Sequence, residues 1–347
     1  MLHFPSMLIP QCLVRSSINI DESFQVPHIA RPGETLSSTG MIARPGGKGA
    51  NFAAALGLAG AHVRMLGSVG ADATWPLDEL RKRCVDLNAV RVSQTQPTGR
   101  AFIQIAADGE NTIVLLKGAN FEADATLDAP AQWLAHATHL MLQNEIPLST
   151  TTNYVMHALT LKDNGGDRRV FTTFNPSPML STAEVQQFPW AGIDALIVNE
   201  GEAEELLAAF GASAPAGSNF ADALARVDAF ARVSWLVVTR GGRGVTAAIQ
   251  LDPATNTARE SFDLGAAPAS VRDTTGAGDT FAGYLVSGIM QLHSDRTTVN
   301  AGIARAEAEL VLRTATVAAA IAVEADGAME SIPSADTVAH RIKGLVA

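Results

Sequence analysis

Two cysteines, Cys12 and Cys84, in 347 residues are too few for a disulfide framework, and without a Cys-x-x-Cys pair both read as reduced structural residues. Lys and Arg number 25 against 35 Asp and Glu, and no basic run occurs. A nucleic-acid partner would want a basic face, and the net charge of −10 argues against one. No stretch of about 18 uncharged apolar residues is present, so no membrane-spanning helix is expected. Residues 1–10 hold Pro5 and Pro10 and lack a basic start, so no signal peptide is expected and the cytoplasm is the default location. A Gly-x-x-x-x-Gly-Lys-Ser/Thr loop is also missing, so any phosphate must be held by another device. Aromatics make up only 5% of a chain that is 47% hydrophobic. A large core built on small side chains follows.

What is present is an alternation. The 12–21 stretch reads as a strand ending in polar side chains, and 22–45, with three prolines, as loops with short strands. An Ala-rich helix is expected from 46 to 60, then a strand at 63–69 and a helix at 77–84. The apolar runs 100–107 and 111–116 flank Asp108-Gly109, a hairpin signal because both residues tolerate positive φ. With 22–45 they could form a small sheet apart from the main core. Strands are expected at 139–142, 169–174, 195–198 and 235–239. Helices are expected at 151–161, 202–210, 220–231, 280–291 and 304–323. Such alternation predicts an α/β fold with a mostly parallel sheet covered on both faces. Ligands bind such sheets at the carboxyl ends of the strands. There the chain places Asn19, Asp21, Glu145, Asn175, Asn199 and Thr239.

The sharpest local signal is Asp273-Thr274-Thr275-Gly276-Ala277-Gly278-Asp279. Gly276, Ala277 and Gly278 let backbone N–H groups approach a ligand, and the helix that follows offers its unpaired N–H groups to phosphate oxygens. Asp279 at that mouth could take a proton from a substrate hydroxyl. A bare Gly-x-Gly-Asp would read as a helix cap. The full string with its second acid, Asp273, points to phosphoryl transfer. His136 and His139 lack the further ligands a zinc site needs. His293 reads as a surface residue.

The 273–281 string resembles the C-terminal motif of ribokinase-type sugar kinases, the PfkB family of carbohydrate kinases. Gly46-Gly47-Lys48-Gly49-Ala50-Asn51 resembles their N-terminal motif. Ser17-Ile18-Asn19-Ile20-Asp21, Pro32-Gly33-Glu34-Thr35, Asn175-Pro176, Asn199-Glu200-Gly201-Glu202 and Gly241-Gly242-Arg243-Gly244 match in the same order, so the resemblance covers nearly the whole chain.

The resemblance implies a single domain over 1–347, a three-layer sandwich with a small β-sheet lid from about 22–45 and 98–117. It implies transfer of the γ-phosphate of ATP to the 5-hydroxyl of D-ribose. Asn19, Asp21, Gly47, Lys48, Asn51 and Glu145 match sugar-holding positions. Asp279 matches the catalytic base, and Gly276, Ala277 and Gly278 the anion hole. Asn199 and Glu202 match the group near the phosphates and Mg²⁺. Thr239, Gly241, Gly242, Arg243, Gly244, Gly278 and Thr316 match nucleotide-lining positions. Asp273, Thr275, Ala322, Ala325, Gly327 and Ser331 match a monovalent cation site, K⁺ by resemblance, in which several ligands are main-chain carbonyls. A homodimer through the lid is also implied. The alternatives are a related kinase for another sugar or a nucleoside, fructokinase-like or adenosine kinase-like, and a non-catalytic sugar-binding protein on the same scaffold.

Overall fold

The computed structural model describes residues 11–163, 169–215, 218–252, 258–294 and 302–346. The reading of 1–10 and the 295–301 part of the second-last inter-helix connection lie outside the described residues. Among the described residues a nine-stranded sheet runs in the order Glu260–Leu264, Val245–Ile249, Trp235–Thr239, Ala195–Asn199, Phe171–Phe174, His139–Leu142, Gln11–Arg15, His62–Leu66, Val85–Asp86. From Trp235–Thr239 onward every pairing is parallel; the two strands at the other edge are antiparallel. The inner strands are buried end to end, as expected of a sheet covered on both faces.

One face carries the helices Lys48–Leu58, Ala277–Ser294 and Arg305–Ala322, packed on Val14, Met141, Ile197 and Val237. The other carries Leu148–Asp163 and Glu200–Ala209, packed on Leu13, Leu140, Leu196 and Leu236. The expected three-layer α/β architecture is present. No helix among the described residues is long and apolar enough to cross a membrane.

Small residues bring the first two of those helices together. A Cβ placed on Gly283 would lie 2.4 Å from Ala55 Cβ and 3.1 Å from the Phe52 carbonyl oxygen. The contact therefore has room for no side chain at 283.

A separate four-stranded sheet has the order Gly40–Gly46, Asn19–Val26, Gly99–Ala106, Asn111–Leu116. Its last two strands form the hairpin expected at Asp108-Gly109, where Gly109 has φ +90°. Four sequence readings are corrected here. The 12–21 stretch is two strands in two sheets: the chain leaves the main sheet at Ser16, and the Ile18 N–H donates to Asn120 Oδ1 at 2.9 Å instead of continuing the ladder. The 63–69 stretch likewise splits into His62–Leu66 and Ser68–Gly70, the latter pairing with Arg91–Ser93. The helix expected at 220–231 is a short helix, Phe220–Leu224, followed by a 3-10 turn at Asp228–Phe230. His293 is not a free surface residue: its ring stacks on His139, with Nδ1 2.8 Å from His139 Nε2. Cys12 is buried, whereas Cys84 is exposed.

Candidate active site

The crossover at 16–18 carries the chain from the main sheet to the small one, and polar groups gather around it. Asn19 is buried, and its Oδ1 accepts from Asn120 Nδ2 at 2.7 Å. Glu145 follows the His139–Leu142 strand. Its Oε2 accepts from Ser17 Oγ at 2.6 Å and from the Lys48 N–H at 3.1 Å. Ser17 Oγ in turn accepts from Gln143 Nε2 at 2.8 Å. Gly47, with φ +87°, turns the chain so that the helix starting at Lys48 points its first N–H groups at this cluster. Sequence reasoning missed Ser17, Gln143 and Asn120 as supports. Their short polar side chains gave no periodic or spacing signal, only improbable burial.

The Lys48–Leu58 and Ala277–Ser294 helices meet at this point. Asn51 Nδ2 donates to Asp279 Oδ2 at 2.8 Å. Ala55 and Gly283 touch one helical turn further on, so the packing contact and the polar contact share one helix face on each side. Asn51 Oδ1 is buried and has no hydrogen-bond partner among the described residues. It is an open acceptor beside the carboxylate.

The electrostatics are those of an acidic pocket around one lysine. Burial, then the charges of Glu145, Asp279 and Glu330, push Asp21 up to about 7, with Lys48 opposing. Burial also holds Glu145 and Asp279 above the ordinary carboxylate range. Burial alone would lower Lys48, but Asp279, Glu145, Glu202 and Asp21 outweigh it and keep its ammonium charged.

Asp279 lies at the start of an 18-residue helix, next to a cavity of about 560 Å³. Ala277 and Gly278 line that cavity at the near end. Thr239, Gly241, Gly242 and Gly244 line one wall, and Thr316, Ala319 and Val323 another. The 266–269 segment and Val271 complete it, a wall of Ala and Pro that no motif announced. Arg243 turns away and pairs with Glu200. Thr316 is buried, and its hydroxyl donates back to the Leu312 carbonyl at 2.8 Å.

Asn199 and Glu202 form a reciprocal cap on the Glu200–Ala209 helix. The Glu202 N–H donates to Asn199 Oδ1, and the Asn199 N–H to Glu202 Oε2, both at 2.9 Å. Asp273 is held by N–H groups of Thr275 and Gly327, each at 2.9 Å. Burial would raise its carboxyl, but these bonds and the Arg44 charge outweigh it and hold Asp273 low. Ser331 and Ala322 are buried on the same segment as Gly327, and Ala325 accompanies them. The structure thus brings the 273–275 and 322–331 positions into one neighbourhood. No group of three or more His, Cys, Asp or Glu suited to a metal exists among the described residues.

The family model for pfkB family carbohydrate kinases matches residues 11–335. The chain is 30% identical to a ribokinase of Haemophilus influenzae over 330 residues, 92% of this chain and 94% of that one. It is similar in structure to a ribokinase from Cryptococcus neoformans var. grubii serotype A in complex with ADP, with TM-score 0.80, 41% identity and coverage of 96% and 99%. The Arabidopsis thaliana ribokinase complexed with ribose and ATP superposes with TM-score 0.75 at 25% identity, covering 97% and 99%. A part-buried Asn–Asp pair joining two glycine-bearing motifs at the start of two helices is thus accompanied by a match over nearly the full length, and the chain belongs to the pfkB family of carbohydrate kinases.

Proposed function

We propose that this enzyme transfers the γ-phosphate of ATP to the 5-hydroxyl of D-ribose. The observation that carries the reading is the position of Asp279. Its carboxylate accepts from Asn51 of the acidic cluster, and the residue before it lines the cavity of about 560 Å³. A hydroxyl held by the cluster and a phosphate held in the cavity would meet at that carboxylate. Asn19, Asp21, Gly47, Lys48, Asn51 and Glu145 would hold the sugar. Carboxylates and carboxamides suit vicinal hydroxyls, and Asn51 Oδ1 is an acceptor still open. Asp279 takes the 5-hydroxyl proton as the hydroxyl oxygen attacks the γ-phosphorus, whose bond to the β–γ bridging oxygen breaks to release ADP. The N–H groups of Gly276, Ala277 and Gly278, at a helix N-terminus, stabilise the charge on the transferring phosphoryl group. Thr239, Gly241, Gly242, Gly244 and Thr316 would line the nucleotide, with Arg243 at the rim.

Two ions fit the residues present. Glu202 keeps its Oε1 free of hydrogen bonds among the described residues, so it and Asn199 would sit beside the Mg²⁺ that accompanies ATP and neutralises phosphate charge. Asp273, Thr275, Ala322, Ala325, Gly327 and Ser331 offer an all-oxygen donor set of carboxylate, hydroxyl and carbonyls, the chemistry a hard cation such as K⁺ requires. The test is ADP release with ribose, 2-deoxyribose, fructose and adenosine, with and without K⁺. Ribose should give the highest kcat/KM, and K⁺ should raise it. A preference for adenosine or fructose would overturn the substrate assignment.

The acidic cluster also predicts a pH dependence. With Asp21 at about 7, its neutral form prevails below that pH and its acceptor form above. The kcat/KM for ribose should therefore rise between about pH 6 and about pH 8, and Asp21→Asn should remove the rise. A flat wild-type profile over that range would count against a sugar-accepting role for Asp21.

We propose further that the chain forms a homodimer through the small sheet, which would serve as a lid within a single domain. The Asn111–Leu116 edge strand exposes Ile113 at 53% and Leu115 at 49%. Register places both on one face of the sheet with Ile42 and Ile103. An apolar edge of that kind calls for cover. The double variant Ile113→Lys, Leu115→Lys should be monomeric by light scattering where the wild type has twice the monomer mass.

A further inference from the structure

The segment after the Arg305–Ala322 helix lies against the glycine turn. Gly327 N–H and Thr275 N–H hold the two oxygens of Asp273, both at 2.9 Å. A Cβ placed on Gly276, where φ is +75°, would fall 2.7 Å from Ala328 Cα. The turn and the 326–331 segment are therefore in direct contact, and neither can shift far alone.

The same segment is gripped from the small sheet. Arg44, on the Gly40–Gly46 strand, places Nη1 3.2 Å from Glu330 Oε1, and each side chain is about one-third exposed, at 31% and 32%. The guanidinium lies over Gly327: a Cβ there would meet Glu330 Oε2 at 2.7 Å and Arg44 Nη1 at 2.8 Å. With φ +89°, Gly327 has both the backbone conformation and the bare surface that this contact needs. Arg44 stands directly opposite Asp21 in the strand register. The strand pair that brings Asp21 to the sugar cluster therefore also brings Arg44 to the segment under the turn.

We propose that the Arg44–Glu330 ion pair is a latch through which the small sheet positions the Thr275–Gly278 turn for phosphoryl transfer. Arg44 and Glu330 are positioning residues: they act through Gly327 and Asp273, not on the substrate. The proposal rests on the reading of that turn as the anion hole. It makes the seating of Asp21 on the sugar and the setting of the turn one movement. A pair one-third exposed to solvent is worth little as a stabilising contact. Its leverage lies in geometry, because a misplaced anion hole costs rate out of proportion to the energy that moved it.

The experiment is hydrogen–deuterium exchange on the unliganded enzyme, with steady-state kinetics alongside. It compares wild type, Arg44→Ala, Glu330→Ala, the double variant, and the swapped pair R44E/E330R. Peptides covering 273–279 and 325–331 should exchange roughly two- to fivefold faster in either single variant. The double variant should be no faster than the singles, and the swap should restore protection. Peptides over the Lys48–Leu58 helix should not change. In the single variants kcat should fall by roughly tenfold while the KM for ribose moves less. Unchanged exchange across 273–279 in the single variants, or additive effects in the double, would overturn the latch. The exchange arm needs no substrate. Failure of the wild type to release ADP with ribose would instead overturn the functional reading, and exchange would still decide the latch.

Discussion

Asp279→Asn should lower kcat by about 10²- to 10⁴-fold, the usual span for loss of a positioned general base. The substitution keeps the shape of the side chain and the contact with Asn51, so packing of the two helices should survive. Ribose affinity, measured by calorimetry, should stay within about tenfold, because the cluster around Asn19, Asp21 and Glu145 is untouched. The pH argument supports the choice of base. Burial raises the Asp279 carboxyl, while Lys48 and the Asn51 amide oppose that rise. A carboxylate tuned upward is a better proton acceptor than an exposed one. A variant that phosphorylates ribose at close to the wild-type rate would remove Asp279 from the chemistry.

The second large effect should come from a residue with no side chain at all. Gly283→Val drives two methyl groups into Ala55 and the Phe52 carbonyl, where a single Cβ already lies 2.4 Å from its neighbour. Overpacking of this kind costs roughly 1–3 kcal/mol. The helices must separate, and the Asn51–Asp279 bond, one turn away on the same faces, must lengthen. A shift of about 1 Å at a reacting group can cost 10²-fold in rate. Gly283→Val should therefore lower both the melting temperature and kcat, although residue 283 touches neither substrate. Gly201→Ala is the control, since a Cβ there meets only Asn199 Oδ1 at 3.4 Å. If Gly283→Val melts and turns over like the wild type, the coupling of packing to chemistry is wrong.

Much of this site was legible because the residues proposed to do the chemistry carry it in their side chains at fixed spacing. Gly46 to Asn51 and Asp273 to Asp279 could be read as motifs, and the Asn51–Asp279 contact now joins them across 228 positions. What could not be read has physical reasons. The 12–21 stretch is interrupted only by the polar trio Arg15-Ser16-Ser17, with no Gly or Pro to mark where the chain passes from one sheet to another. That break shows only in tertiary bonds, such as the Ile18 N–H to Asn120. Gln143 and Ser17 lie 126 positions apart, and a polar pair gives no signal until it is found buried. The 266–269 wall of the cavity contributes shape and not functional groups, and shape has no composition. Among the strands and helices, the steady alternation after 139 was the most readable. The error at 220–231 came from Ala-rich helix propensity, which did not foresee the 3-10 turn at Asp228–Phe230.

The place of the Gln11–Arg15 strand has a consequence for how the molecule is made. It is the first of the described strands in the chain, yet it lies inside the large sheet, between His62–Leu66 and His139–Leu142. During synthesis its first neighbour emerges early, but the second only after the whole small sheet has been translated. Until then one side of a buried, apolar strand presents a bare row of N–H and C=O groups, the kind of edge on which chains aggregate. Parallel partners so distant in sequence also pair slowly. The order of strands therefore sets a vulnerable interval in biosynthesis, one that ends when residues near 142 leave the ribosome and close the sheet over its own beginning.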